Sequence, residues 1–158
     1  MIRAITLWQP WSSFIADGLK TIETRQHNHF EPLVGERIAI HAGKKWDPNA
    51  FEIFDCPVYR GKGMPPEAMM RIYGKKNVPL GAIVCTAIVA KHERLRSEHQ
   101  WAACIPIRRG DVLYGLFLED IQKLETPIPA CGSQGIWHFE GDLDLKGNME
   151  SSKQQTLF

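Results

Sequence analysis

No apolar run in this sequence approaches the roughly 20 residues needed to span a bilayer. Its opening, MIRAITLWQPW, lacks the apolar core and small-residue cleavage site of a secretory signal. These two absences lead to the expectation of a cytoplasmic protein. Paired cysteines are missing as well: Cys56, Cys85, Cys104 and Cys131 stand apart, with no C-x-x-C among them. A disulfide framework is therefore not expected, and Cys85, inside GAIVCTAIVA, reads as a small buried hydrophobe. The HNH at 27–29 is too short to signal a ligand set, so neither a metal nor any other cofactor is expected. Net charge is scarce too. At +1 the chain is not built to coat long stretches of nucleic acid through phosphate contacts alone. No internal repeat is visible.

What is present is an ordinary soluble composition, 44% hydrophobic and 23% charged over 158 residues, enough for one compact domain with a real core. The charge is spread unevenly. Residues 60–110 carry ten Lys/Arg against three acids, whereas residues 111–158 carry three against eight. A basic middle offers a local anion-binding face, and a surface whose charges mix in three dimensions is the alternative.

The pattern of elements points to an α+β fold. Residues 3–7, RAITL, alternate as an edge strand does. Pro10 suits the first turn of a helix reaching about Asp17, with Trp11, Phe14 and Ile15 as its apolar stripe and Gly18 as its stop. Residues 21–25 and 36–43 read as strands, and Asp47-Pro48 as the capped start of another helix. A short helix over 66–73 follows. GAIVCTAIVAKH has the nearly unbroken apolar character of a central strand. A partly helical connection then runs through Trp101, and strands are expected in LYGLFLEDIQKL and GIWHFE. Short strands outnumbering helices favour a small barrel or strongly curved sheet with helices at its rim.

GLKTIETR, residues 18–25, concentrates Lys20, Glu23 and Arg25 in a short span. If 21–25 is a strand, Thr21, Glu23 and Arg25 share one face and Ile22 and Thr24 the other. Ile22 then takes the core side, leaving Glu23 and Arg25 on the open side. Lys20 falls just past a helix end, where the helix dipole favours a cation. A plain structural role for all three is the alternative.

LWQPWSSFIADGLKTIETR resembles the N-terminal signature of the ASCH (activating signal cointegrator homology) domain, a family of the PUA-like superfamily. The G-x-K-x-x-E-x-R pattern is met by Gly18, Lys20, Glu23 and Arg25, and RIAIHAGK, LGAIVCTAIVAKH and YGLFLEDIQKLETPIPACGSQGIWHF follow in the family's order. The resemblance covers residues 1–140 as one ASCH domain, with 141–158 as a flexible tail. It implies a PUA-like small β-barrel with the motif lining a cleft, and binding of RNA or another nucleic acid. The residue types suit that ligand: cations for phosphate, aromatic faces for stacking, and amides or carboxylates for a base edge. Candidate ligand-binding residues are Trp8, Gln9, Trp11, Lys20, Glu23, Arg25, His41, Lys44 and Gln134.

Some small ASCH members resemble amidohydrolases of acylated cytidine that use a lysine, a threonine three residues on and a distant glutamate. Lys20 meets the lysine position, but Glu23 replaces the threonine and removes its hydroxyl. Glu93, Glu98 and Glu119 are all conceivable as the distant glutamate. A nearby carboxylate also stabilises the Lys20 ammonium and opposes its use as a base. A hydrolase, amidohydrolase or nuclease, would instead use Glu23 as general base for water and Lys20 to stabilise an oxyanion. Finally, QQTLF at 154–158 resembles the Q-x-x-L-F peptide that docks bacterial replication proteins on the sliding clamp. Gln154, Leu157 and Phe158 would be the anchors, and packing of Leu157 and Phe158 onto the domain itself is the alternative. Clamp docking would favour DNA or a modified DNA base over RNA as the ligand of the cleft.

Overall fold

A computed structural model describes residues 1–50 and 66–143. Its six strands are β1 (Ile2–Gln9), β2 (Ile22–Arg25), β3 (Arg37–Trp46), β4 (Ala82–Arg94), β5 (Tyr114–Pro129) and β6 (Trp137–Phe139). The helices are α1 (Trp11–Ala16), α2 (Pro66–Tyr73) and the single turn α3 (Gln100–Ala103), with 3-10 turns at Glu31–Leu33 and Ser97–His99. The strands form one mixed sheet in the order β2-β5-β4-β3-β1-β6, in which only β1 and β3 are described as parallel.

The apolar runs explain the middle of this sheet. In β4 every residue from Ala82 to Ala87 is buried, which a strand covered on both faces requires. One face feeds the main core with Ile5, Leu7, Ile38, Ile40, Cys85, Val89 and Leu116. The other face contributes Ala4, Ala39, Ile83 and Phe139 to a second cluster. Helix α1 joins two cores: Ile15 and Ala16 enter the main one, while Phe14 packs edge-on against Tyr73 of α2, with ring centroids 4.8 Å apart. Burying one such aromatic contributes about 2 kcal/mol. The helix ends where expected, at Gly18, whose φ of 77° suits a residue without a side chain. The amides of Leu19 and Lys20 then bond back to the Phe14 carbonyl at 2.9 and 3.1 Å, which turns the chain into β2.

Two expectations need correction. The first strand is not an edge: β1 lies between β3 and β6, because the short WHF segment pairs along its outer side. Nor is the sheet closed into a barrel. Among the described residues no ladder joins β2 to β1 or β6, and only a side chain spans that seam, Arg25 Nη2 donating to the Thr6 carbonyl at 3.3 Å. The helix expected after Asp47 lies mostly outside the described residues, as does most of the tail after Glu140. No helix among the described residues is long and apolar enough to cross a membrane.

Candidate functional site

The open seam is the site of a cleft of about 870 Å³. One wall is β2 with the loop after it: Glu23, Arg25, His27 and Phe30. The facing wall is β1 and the end of β3, with Thr6, Leu7, Trp8, Gly43, Lys44 and Lys45, and the loop 130–135 closes the third side. Of the nine residues proposed from sequence, Trp8, Trp11, Glu23, Arg25, His41, Lys44 and Gln134 line this space.

Gln9 and Lys20 do not line it, and each has a structural reason. Gln9 is wholly buried: its Nε2 donates to the Pro79 carbonyl at 2.7 Å, and its Oε1 accepts from the Ser13 amide at 3.2 Å. It thereby satisfies one of the orphan donors at the start of α1. Lys20 turns inward rather than toward the end of α1. Its ammonium donates to the carbonyl of Ala103, the last residue of α3, and lies 5.5 Å from the Trp11 ring centroid. The carboxylate of Glu23 is 3.9 Å away.

Glu23 therefore sits between two cations, with Arg25 Nε 3.3 Å from its other oxygen. Alternation along β2 delivers this, as expected: Ile22 faces apolar residues, whereas Glu23 and Arg25 point the other way. The Arg25 guanidinium lies over Phe30, 5.0 Å from its centroid. Its Nε lacks a well-aligned acceptor despite the short ion-pair distance. A planar cation resting on an aromatic, with a carboxylate beside it, presents donors and an acceptor side by side. That suits the edge of a nucleobase, where amino and carbonyl groups alternate.

The cleft floor is tied by a chain of hydrogen bonds. Trp137 Nε1 donates to Thr6 Oγ1 at 3.0 Å, and Thr6 Oγ1 lies 3.2 Å from His41 Nδ1. His41 Nε2 is 2.8 Å from the Ala130 carbonyl. That carbonyl only accepts, so Nε2 carries the proton and Nδ1 accepts from the Thr6 hydroxyl. Burial lowers the His41 pKa, partly offset by the bond to Ala130. Both ring nitrogens are thus committed, Nε2 to the loop and Nδ1 to Thr6 of β1, and the ring supports the cleft from beneath. Gly132 packs so closely that a Cβ there would fall on the His41 ring and the Thr6 hydroxyl.

The lip differs from the floor. Trp8 is 48% exposed, and Lys44 and Lys45 are both exposed, with the Lys45 ammonium 5.2 Å from the Trp8 ring centroid. Lys45, Phe30, His27 and the residues around Cys131 and Ser133 were not proposed from the sequence as ligand-binding residues. Lys45 adjoins a proposed residue and was open to inference. The others come together only through tertiary folding.

Neither a scan against protein-family models nor a search of curated proteins finds a match for this chain. Solved structures do. The chain is similar to an ASCH protein from Zymomonas mobilis at a TM-score of 0.52 and 15% identity, covering 94% of this chain and 93% of that one. The fold is ASCH-like. A tyrosine-to-phenylalanine variant of the Zymomonas mobilis protein aligns at a TM-score of 0.50 and 15% identity, over 96% of each chain. A serine-to-alanine variant gives 0.50 and 15%, over 97% of this chain and 94% of that one. An ASCH-like fold with so little identity leaves the chemistry of the cleft to be argued from this chain's own residues.

Proposed function

We propose that the cleft binds a nucleotide or single-stranded nucleic acid, with an unpaired base held against Glu23 and Arg25. The observation that carries this reading is the convergence of Trp8, Glu23, Arg25 and Lys44 on one cleft from three separate strands. Arg25 and Glu23 supply donors and an acceptor for a base edge, Trp8 a stacking surface, and Lys44 and Lys45 cations for phosphate. The ASCH resemblance, which implies RNA or other nucleic-acid binding, supports the same ligand class. We read the sheet as a PUA-like barrel left open at the seam, where the ligand enters, in a protein acting in the cytoplasm. Quenching of tryptophan fluorescence by nucleotides and short RNA or DNA tests the reading. Saturable quenching that weakens about tenfold or more in Trp8→Ala and Arg25→Gln is expected. Equal titrations for wild type and both variants overturn it.

A hydrolase is the second reading, favoured by the placement of Lys20 and Glu23 within 3.9 Å of each other. Burial of Lys20 behind Glu23, bonded to a backbone carbonyl, weighs for binding over catalysis. Turnover of N-acylated cytidines or of RNA that disappears in both Lys20→Ala and Glu23→Gln would install the enzyme reading. Docking on a sliding clamp through Gln154, Leu157 and Phe158 is proposed on sequence alone, since these residues lie outside the described ones. A clamp pull-down that survives deletion of 154–158 ends that idea.

A further inference from the structure

The cleft does not use the basic middle of the chain. Among the described residues, no Lys or Arg between 66 and 110 lines it; its cations are Arg25, Lys44 and Lys45. The middle arginines nevertheless begin where the cleft ends. Arg25 of β2 is paired directly with Tyr114 of β5, and Tyr114 with Arg94 of β4. Residues directly opposed in an antiparallel ladder project to the same face, and neighbouring strands lie about 4.8 Å apart. Arg25, Tyr114 and Arg94 therefore form a row across three strands, roughly 10 Å long, that starts at the cleft. Past Arg94 the two strands stay joined, the Leu95 amide donating to the Leu113 carbonyl at 2.8 Å. This keeps the turn at 108–111 at the same end of the sheet, closed by the Arg108 amide donating to Asp111 Oδ2 at 2.7 Å.

Three acids in this region are already engaged. Glu93 pairs with Lys91 at 3.1 Å, Glu98 with Arg96 at 2.5 Å, and Asp111 accepts from the Arg108 backbone. Arg94, Arg108 and Arg109 are exposed, and among the described residues none has a carboxylate partner. Unpaired guanidiniums at the outlet of a cleft, with one half-buried tyrosine between, suit a chain of phosphates with an unstacked base.

We propose that a single strand whose base occupies the cleft continues past Tyr114 onto Arg94, Arg108 and Arg109, so that the ligand is a strand of several nucleotides and not a free nucleoside. This rests on the cleft reading above and adds to it the length and path of the ligand. A duplex does not meet the requirement, because the base in the cleft must be unpaired to present its edge.

The test compares wild type with the triple variant Arg94→Gln, Arg108→Gln, Arg109→Gln, by fluorescence titration over a range of salt. The probes are a mononucleotide, a single strand of about 10 nucleotides and a duplex of the same length. For wild type, the single strand is expected to bind at least tenfold more tightly than the mononucleotide. In the triple variant that advantage falls toward zero, and the log–log salt slope drops by about 2, as loss of three single-strand phosphate contacts predicts. Mononucleotide binding stays unchanged, which also shows that the variant is folded. Mononucleotide binding with no extra affinity for the strand overturns the path alone. Equal loss on duplex and single strand overturns it too, in favour of a general polyanion surface. Wild type that binds none of the probes overturns the cleft reading and the path together.

Discussion

The β2 wall of the cleft and its lip carry the same kinds of side chain in opposite circumstances. At the β2 wall Glu23 is buried and Arg25 half-buried, with Lys20 buried behind them, each within ion-pair reach of another. On the lip, Lys44 and Lys45 stand in solvent beside an exposed Trp8. Charge buried among partners is expensive to disturb, because removing one group strands the rest away from water. Charge on the lip is screened by solvent and contributes little to holding the fold. The G-x-K-x-x-E-x-R motif is thus partly a folding device. Lys20 lies behind Glu23, and Glu23 in turn flanks the Arg25 guanidinium that lines the cleft.

The sharpest way to break this contrast is Glu23→Ala. It removes the carboxylate between two cations, and a loss of about 3 kcal/mol in stability is expected, together with loss of ligand binding. Urea denaturation measures the first and the quenching titration the second. A cost below about 1 kcal/mol would mean that Lys20, Glu23 and Arg25 are not a coupled network. Next in size is Gly132→Ala, which drives a methyl group into His41 and Thr6. Overpacking there should cost about 1–3 kcal/mol and shift the 130–135 loop that walls the cleft. Affinity is expected to fall with it; unchanged affinity would show that the loop does not contribute a wall.

His41 offers a third probe, through pH. Burial lowers its pKa in the fold, and the same direction holds for His27 and His92. The folded protein then binds fewer protons than the unfolded chain in the window below the ordinary value of 6.5. Stability is therefore complete above that value and lost as pH falls through it toward the lowered folded pKa. The thermal midpoint should drop across this range, and His41→Gln should flatten part of the decline, His27 and His92 keeping the remainder. A wild-type midpoint unaffected by pH in this window would show that the imidazoles titrate normally.

How much of this was legible beforehand follows the range of each interaction. Gly18 as a stop, the central β4, and the split of Ile22 from Glu23 and Arg25 follow from local periodicity and backbone preference, which one sequence carries. Gln9 and Lys20 misled because they sit at the two ends of α1, where a residue can turn inward or outward. Which way it turns depended on the distant carbonyls of Pro79 and Ala103. The open seam was hidden for the same reason: it depends on whether β2 meets β1 through backbone or, as here, through the Arg25 side chain. Phe30 beneath that side chain lies in a loop without periodicity, so nothing local marked it.

The smallest expected effect is the one that sharpens the contrast most. Lys44→Gln with Lys45→Gln removes two exposed ammonium groups, neither of which has a carboxylate partner among the described residues. Stability should stay within about 0.5 kcal/mol of wild type, since surface changes of this kind rarely do more. Affinity for a phosphate-bearing ligand should fall several-fold at low salt, while a nucleoside lacking phosphate binds as before. Raising the ionic strength toward 1 M, where screening acts over about 3 Å, should erase the difference between variant and wild type. A deficit that persisted at high salt, or one shared by the nucleoside, would mean that these lysines shape the cleft as the β2 wall does. The two regions would then differ in burial but not in role.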